Sequence, residues 1–357
     1  MNLIEFGDCR ETMRRWAAEG IKAQTCVTSP PYYGLRDYGR SGQIGLEETP
    51  QMYVDAMVEV FRCVWDVLED DGTLWLNIGD SYSSHKDCKS IPQSLAKGTP
   101  KENAHAIDVG KSRVRDSKML KSQGLKNKEL IGIPWMLAFA LRADGWYLRQ
   151  DIIWHKPNPM PESVKDRCTK AHEYIFLLTK SDRYHFDSAA IEEPIQDVTA
   201  LRMLRGVSDT HKNVNGAPGQ TKHSMNQPRP NVRKEFDSSM GGGGTSFVGH
   251  SGYKKADGTL MIKPTRNKRS VWTVNTKPYK GAHFAVFPEE LIEPCILAGA
   301  PTDGIVLDPF MGSGTTAAMA LRLGRQYLGC ELNEDYKPLQ ESRIAKEHKS
   351  TLEEFFT

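Results

Sequence analysis

Two short segments carry residue types from which chemistry could be built. The first is VTSPPYYGLRDYG, residues 27–39. Consecutive Pro30 and Pro31 fix φ and remove two backbone donors, so the carbonyls of Ser29 and Pro30 project from a rigid loop. A hydroxyl on Ser29, a fixed carbonyl on Pro30 and the ring of Tyr32 suit an amino group on a flat base: the two oxygens accept its hydrogens and the ring stacks on its face. Standing alone, such a tetrapeptide is more often a surface turn, and its weight comes from its company.

The second segment is GIVLDPFMGSGTTAAMALRLGRQYLGCEL, residues 304–332. An apolar strand runs into Asp308, Pro309 and Phe310. A glycine-rich turn through Gly312, Ser313 and Gly314 follows, a helix starts near Thr315 and Thr316, and a second strand ends at Glu331. The glycines allow a tight turn and close approach to a ligand. The helix start offers free N–H groups to a carboxylate or phosphate, and Glu331 stands where an acidic side chain accepts hydrogen bonds from ribose hydroxyls. Gly312, Gly314 and Ala317 also satisfy the G-x-G-x-x-A dinucleotide fingerprint, so a nicotinamide or flavin enzyme stays open on this segment alone, as does a purely structural turn.

These loops need a scaffold. Hydrophobic periodicity predicts a helix from Gln51 to Gly72 and a buried strand over TLWLNIGD. A second packed stretch, 129–187, predicts a helix over IPWMLAFALRADG with Pro134 in its first turn, then strands YLRQDIIWHKP and HEYIFLLTKS. A third, 284–347, alternates helix and strand. The alternation predicts a parallel α/β sheet covered by helices on both faces. Pro294–Cys295 falls inside an apparent helix, where a core thiol is the better reading than a nucleophile.

The 357 residues carry a net charge of +2, but the charge is uneven. Residues 84–128 hold 11 Lys/Arg against 4 Asp/Glu, and residues 201–280 hold 15 against 4. Basic segments in an acidic body suit a polyanion, although solvated lysine-rich loops read the same way. The seven cysteines form no C-x-x-C pair, which argues against a zinc site or disulfide framework and for reduced thiols. With no long apolar run and no leader-like N-terminus, the expectation is a cytoplasmic protein with no membrane and no metal.

TSPPY together with DPFMGSGTT resembles the catalytic and cofactor motifs of the amino-methyltransferases that modify adenine N6 or cytosine N4 in DNA. SPPY precedes the cofactor motif here, an order similar to the beta group of that family. The resemblance implies a Rossmann-like S-adenosylmethionine-dependent methyltransferase sheet with a largely irregular inserted target-recognition region. The core is expected at 1–80, 129–194 and 271–357, with a basic insertion at 81–128 and the target-recognition region at 195–270. The cofactor implied is S-adenosyl-L-methionine. Asp8 and Cys9, in FGDCRETM, match the family's turn at the adenine end. His283 and Phe284, in HFAVFPEELIE, match the segment closing over the methionine end, although Ala285 and Phe287 replace the Thr and Lys common there.

DIIWHKPN resembles the family's strand and loop beside a flipped base, which marks Trp154 and Lys156 as DNA-facing; a core aromatic and a solvated lysine are the plain readings. Arg229, Asn231 and Arg233 are candidates for reading base edges in double-stranded DNA. A Ser at the first tetrad position favours N4 of cytosine over N6 of adenine. An RNA amino-methyltransferase and an inactive DNA-binding protein remain alternatives. A homodimer, a separate restriction endonuclease and a bacterial or phage-encoded, nucleoid-associated setting are compatible with the resemblance.

Overall fold

The computed structural model describes residues 1–35, 39–83, 124–195, 252–254, 260–262, 264–276 and 287–355. They fall into two compact units: Met1–Ala190 with Arg269–Thr357, and Ile191–Lys268. The smaller unit contains two short antiparallel ladders, Glu193–Pro194 with Thr265–Arg266, and Gly252–Lys254 with Leu260–Ile262.

The larger unit is built on eight strands: β1 (Asn2–Phe6), β2 (Ala23–Thr28), β3 (Leu68–Ile78), β4 (Tyr147–His155), β5 (His172–Thr179), β6 (Val271–Thr273), β7 (Ile305–Asp308) and β8 (Gln326–Glu331). Their order across the sheet is β1-β8-β7-β2-β3-β5-β4-β6. Among the described residues six helices accompany them: α1 (Cys9–Ala18), α2 (Pro50–Val67), α3 (Ile133–Ala143), α4 (Glu289–Gly299), α5 (Thr315–Arg322) and α6 (Lys337–Phe355).

Two expectations are corrected. The sheet is mixed, because β5 runs antiparallel to both β3 and β4. No crossover helix separates β4 from β5, and a parallel return requires one. The helix expected to reach Gly72 stops at Val67, and β3 begins at Leu68. The apolar pattern persists across the junction because Leu68 is buried as strand rather than as helix.

Strand alternation divides the core. Leu74, Leu76 and Ile78 belong to the large apolar cluster formed with Met13 and Trp16 of α1, Met57 and Phe61 of α2, and Leu137 of α3. Thr73 and Trp75 point the other way, toward Gly299 at the end of α4. Helix α2 starts with Pro50 in its first turn and Thr49 as its cap, the Thr49 hydroxyl accepting from the Met52 N–H at 2.9 Å. Among the described residues no helix is long and apolar enough to cross a membrane.

From β7 the chain passes through α5 to β8 on one side, and from β2 through α2 to β3 on the other. Adjacent β7 and β2 therefore form the switch point of the sheet, and the crevice beyond their carboxyl ends is where open α/β sheets bind ligands.

A Cβ on Gly299 would stand 2.5 Å from Thr25 Oγ1 and 2.9 Å from both Thr73 Oγ1 and Trp75 Nε1. Gly299→Ala is expected to destabilise the fold by about 2 kcal/mol through overpacking. Equilibrium denaturation in guanidinium chloride measures this, and an unchanged midpoint would show that α4 moves off the sheet freely.

Candidate active site

The two segments singled out in the sequence meet at the switch point. Thr28 ends β2 and Asp308 ends β7, and the Thr28 hydroxyl donates to Asp308 Oδ1 at 2.7 Å. The Thr316 hydroxyl, in the first turn of α5, donates to Asp308 Oδ2 at 2.6 Å, and the Phe310 N–H donates to Oδ1 at 3.0 Å. One buried carboxylate thus holds the strand before SPPY, the glycine loop and the start of α5. Burial pushes its carboxyl up from an ordinary 3.8 to about 6, against the downward pull of those three donors.

The glycine loop is shaped by backbone freedom. Gly312 and Gly314 have φ of 54° and 82°, in the left-handed region. Gly314 caps α5 without a side chain, leaving the first-turn amides for a ligand. Gln340 of α6 donates to the Gly312 carbonyl at 2.7 Å, and Arg343 donates to the Thr315 hydroxyl. Ser313 is buried, and among the described residues its Oγ has no hydrogen-bond partner.

Glu331, at the end of β8, is also buried, which raises its carboxyl above the usual range. Its Oε2 accepts from the Gly312 N–H at 2.7 Å and its Oε1 from the Asn333 N–H at 2.8 Å. Each oxygen retains a lone pair, so the side chain is fixed and still able to accept. Pro309 is buried and Phe310 half-buried beside it.

Asp8 caps α1, accepting from the Arg10 N–H at 2.8 Å, and Gly7 donates to the Glu331 carbonyl at 2.9 Å. The Arg10 guanidinium also grips the Asp8 carboxylate, at 3.0 and 2.6 Å, and holds its carboxyl below the usual range. Burial pushes the neighbouring Cys9 thiol up to about 12, leaving it neutral.

The SPPY loop is braced from α2, whose Tyr53 hydroxyl donates to the Pro31 carbonyl at 2.9 Å. Pro30 is buried, and among the described residues nothing donates to its carbonyl. Ser29 Oγ lies 3.5 Å from the Tyr32 hydroxyl. That hydroxyl donates to Glu173 Oε2 at 2.8 Å, with Asn77 Oδ1 at 3.4 Å. Burial raises the Tyr32 phenol well above its ordinary value, and the Glu173 charge adds to the shift. A pocket lies beside the ring, lined by Tyr32, Tyr33, Leu35, Gly79, Asp80 and Ile133.

Lys156 pairs with Glu173 Oε1, and its Nζ sits 4.1 Å from the centre of the Trp154 ring. Trp154 itself is buried, its indole N–H bonded to the Val274 carbonyl at 2.9 Å. His283, Phe284, Arg229, Asn231 and Arg233 lie outside the described residues. Cys295 is buried in α4, its Sγ 3.6 Å from the Leu291 carbonyl, as a packing thiol would be. Among the described residues no group of three or more His, Cys, Asp or Glu could hold a metal ion.

Sequence reasoning missed Glu173, Asn77, Thr28 and Gln340. Asn77 and Glu173 had a weak signal: each is a polar residue beside an apolar run, LWL in β3 and YIFLL in β5, among other polar residues of those strands. Gln340 had none, since α6 carries polar residues throughout.

The family described as DNA methylase (N6_N4_Mtase) matches residues 23–342. Over 352 residues the chain is 40% identical to the Type II methyltransferase M.SmaI of Serratia marcescens, spanning 96% of this chain and 90% of that protein. Its fold is similar to that of the PvuII DNA methyltransferase (cytosine-N4-specific), with TM-score 0.54, 15% identity, and 96% and 86% of the two chains covered. It is also similar to the Thermus thermophilus protein TTHA0409 complexed with S-adenosyl-L-methionine, with TM-score 0.50, 20% identity, and 97% and 94% covered.

Asp308 makes stability pH-dependent with a definite sign. Its folded value, about 6, lies above the ordinary 3.8, so its contribution is complete below the ordinary value and is lost as pH rises through the folded one, about 3 kcal/mol in all. Melting of the ligand-free protein between pH 4 and 7 is expected to show the gap between wild type and Asp308→Asn narrowing as pH rises. A gap independent of pH would mean that Asp308 is ionised throughout.

Proposed function

The chain belongs to the N6/N4 DNA methylase family, and we propose that the base it modifies is cytosine, at the exocyclic N4. It is an S-adenosyl-L-methionine-dependent DNA methyltransferase. The observation that carries the reading is the meeting of the SPPY and glycine loops on one buried carboxylate, with Ser29 at the first tetrad position.

The crevice fits the cofactor. An unpartnered buried hydroxyl on Ser313, two left-handed glycines and open first-turn amides at Thr315 and Thr316 form a cradle for a polar, anionic group. Glu331 accepts from ribose hydroxyls, and Asp8, Cys9, Pro309 and Phe310 border the adenine end. The family resemblance assigns His283 and Phe284 to the methionine end. Bound there, the cofactor supplies an electrophilic methyl group.

The remaining work belongs to the protein. A base stacked in a duplex cannot present its amine in line, so the target is flipped out. The Pro30 carbonyl and Ser29 Oγ accept the two amine hydrogens. That turns the nitrogen toward tetrahedral geometry and localises its lone pair, while the Tyr32 ring stacks on the base. No covalent adduct with the base is required; catalysis is positioning and electrostatic preorganisation. Lys156, just after β4, and Trp154 beneath it connect to the Tyr32 hydroxyl through Glu173. Arg229, Asn231 and Arg233, within 195–270, read base edges, and the lysines of 81–128 hold phosphates, making binding salt-sensitive. The enzyme acts in the cytoplasm, and any restriction endonuclease that accompanies it is encoded separately.

Incubation with S-adenosyl-L-methionine and unmethylated DNA, then mass spectrometry of nucleosides, is expected to yield N4-methylcytosine. N6-methyladenine would overturn the base assignment and keep the mechanism. Gly312→Val is expected to abolish binding of S-adenosylhomocysteine in calorimetry, because a β-branched residue resists the left-handed backbone; retained affinity would remove the glycine loop from the cofactor site.

A further inference from the structure

Antiparallel β5 brings to the active edge of the sheet a residue that neither motif contains. Tyr174 pairs with Ile78 at the carboxyl end of β3, and Glu173 pairs with Trp154 near the carboxyl end of β4. Because β5 is reversed, its first residues stand where its neighbours end. Glu173 therefore reaches the SPPY loop although 141 positions separate it from Tyr32.

We infer that Glu173 is a positioning residue for methyl transfer: its carboxylate fixes the ring plane of Tyr32, and Lys156 serves that carboxylate as its counter-charge. The inference rests on the reading of Tyr32 as the surface on which the flipped base stacks. Two observations carry it independently. The Tyr32 hydroxyl donates to Glu173 Oε2 at 2.8 Å, while Lys156 takes Oε1. The ring edge also lies against Gly79, where a Cβ would come within 2.7 Å of Tyr32 Cε2 and 3.4 Å of Glu173 Cδ. The ring is thus pinned at its hydroxyl and at its edge, and its torsional freedom is removed before a base arrives.

The charges explain why a carboxylate is tolerated beside the ring on which a base would stack. Glu173 and Lys156 are each only 17% exposed, so either alone would be a poorly solvated charge. Paired, they leave one carboxylate oxygen for the phenol. The ammonium in turn rests on Trp154, whose indole is tied to Val274. Asn77 completes the shell, donating to the Tyr174 carbonyl at 3.1 Å. Tyr32, Glu173, Lys156 and Trp154 form one connected chain from the SPPY loop to β4. In this arrangement the lysine of DIIWHKPN acts through Glu173 rather than on phosphate.

The test is a double-mutant cycle on methyl transfer to unmethylated plasmid DNA, with Glu173→Ala, Tyr32→Phe and the double variant. Each single change is expected to lower kcat roughly 10- to 100-fold, as a small misplacement of a reacting group does. The KM for the cofactor should stay within about threefold, because the cofactor lies on the other loop. The double variant should be no worse than the poorer single one, since both remove the same bond. A second reading uses an oligonucleotide carrying the enzyme's mapped site with 2-aminopurine at the target base and S-adenosylhomocysteine bound. Wild type should quench the flipped fluorophore by stacking, and both single variants should leave it brighter.

Losses that multiply in the double variant, or a wild-type kcat in either single one, overturn the inference. If Glu173→Ala melts too low to assay, Glu173→Gln and Tyr32→Phe decide it. The amide oxygen still accepts from the phenol but no longer offsets the Lys156 charge, so Glu173→Gln should lose clearly less of kcat than Tyr32→Phe; equal losses in the two overturn it. A wild type that methylates no DNA sinks the target reading and this inference with it. A methylating wild type with multiplicative losses sinks the inference alone.

Discussion

The active edge of this protein depends on one buried carboxylate. Asp308 accepts from Thr28, Thr316 and the Phe310 amide. The three donors come from the end of β2, the first turn of α5 and the glycine loop. A buried acceptor with three donors tolerates little movement of any of them, because each lost bond leaves a polar group without water or partner. The loop that would hold a base and the loop that would hold a cofactor are therefore set at a fixed spacing before either ligand binds. Methyl transfer by direct displacement needs such spacing, since its rate depends on alignment of donor and acceptor more than on any acid or base.

The arrangement carries a cost. The buried carboxyl is raised to about 6, so its own contribution to the ligand-free fold is lost as pH rises through that value. Ser313 adds a second cost, a buried hydroxyl without a partner among the described residues. Groups of this kind, unsatisfied or displaced from their usual ionisation, concentrate at functional sites and are compensated by packing elsewhere. Here the compensation is visible in the tryptophans, methionines and leucines of α1, α2 and α3 packed on one face of the sheet.

Polar residues beside the apolar runs of two strands turned out to be the informative ones. Asn77, near the end of β3, and Glu173, near the start of β5, both lie in contact with the Tyr32 hydroxyl. Lys156, read from the sequence as a residue facing DNA, is held by Glu173. Trp154, read the same way, is buried with its indole N–H satisfied by Val274. In each case the side chain's role depends on a partner from another strand.

Much of the molecule was legible in the sequence because its determinants are local. Proline pairs stiffen a loop, glycines open left-handed backbone, and hydrophobic periodicity marks helix and strand, each within a few residues. These features determined the family, the alternating elements, the two loops, and Ser29, Tyr32, Gly312 and Glu331 as the residues to examine. Tertiary structure decided the rest: the reversal of β5, the end of α2 at Val67, the trio of donors on Asp308 and the anchoring of Tyr32 by Glu173. Such contacts join positions as far apart as 280 residues. Strand order and direction set them, and no local propensity encodes which distant strand becomes a neighbour.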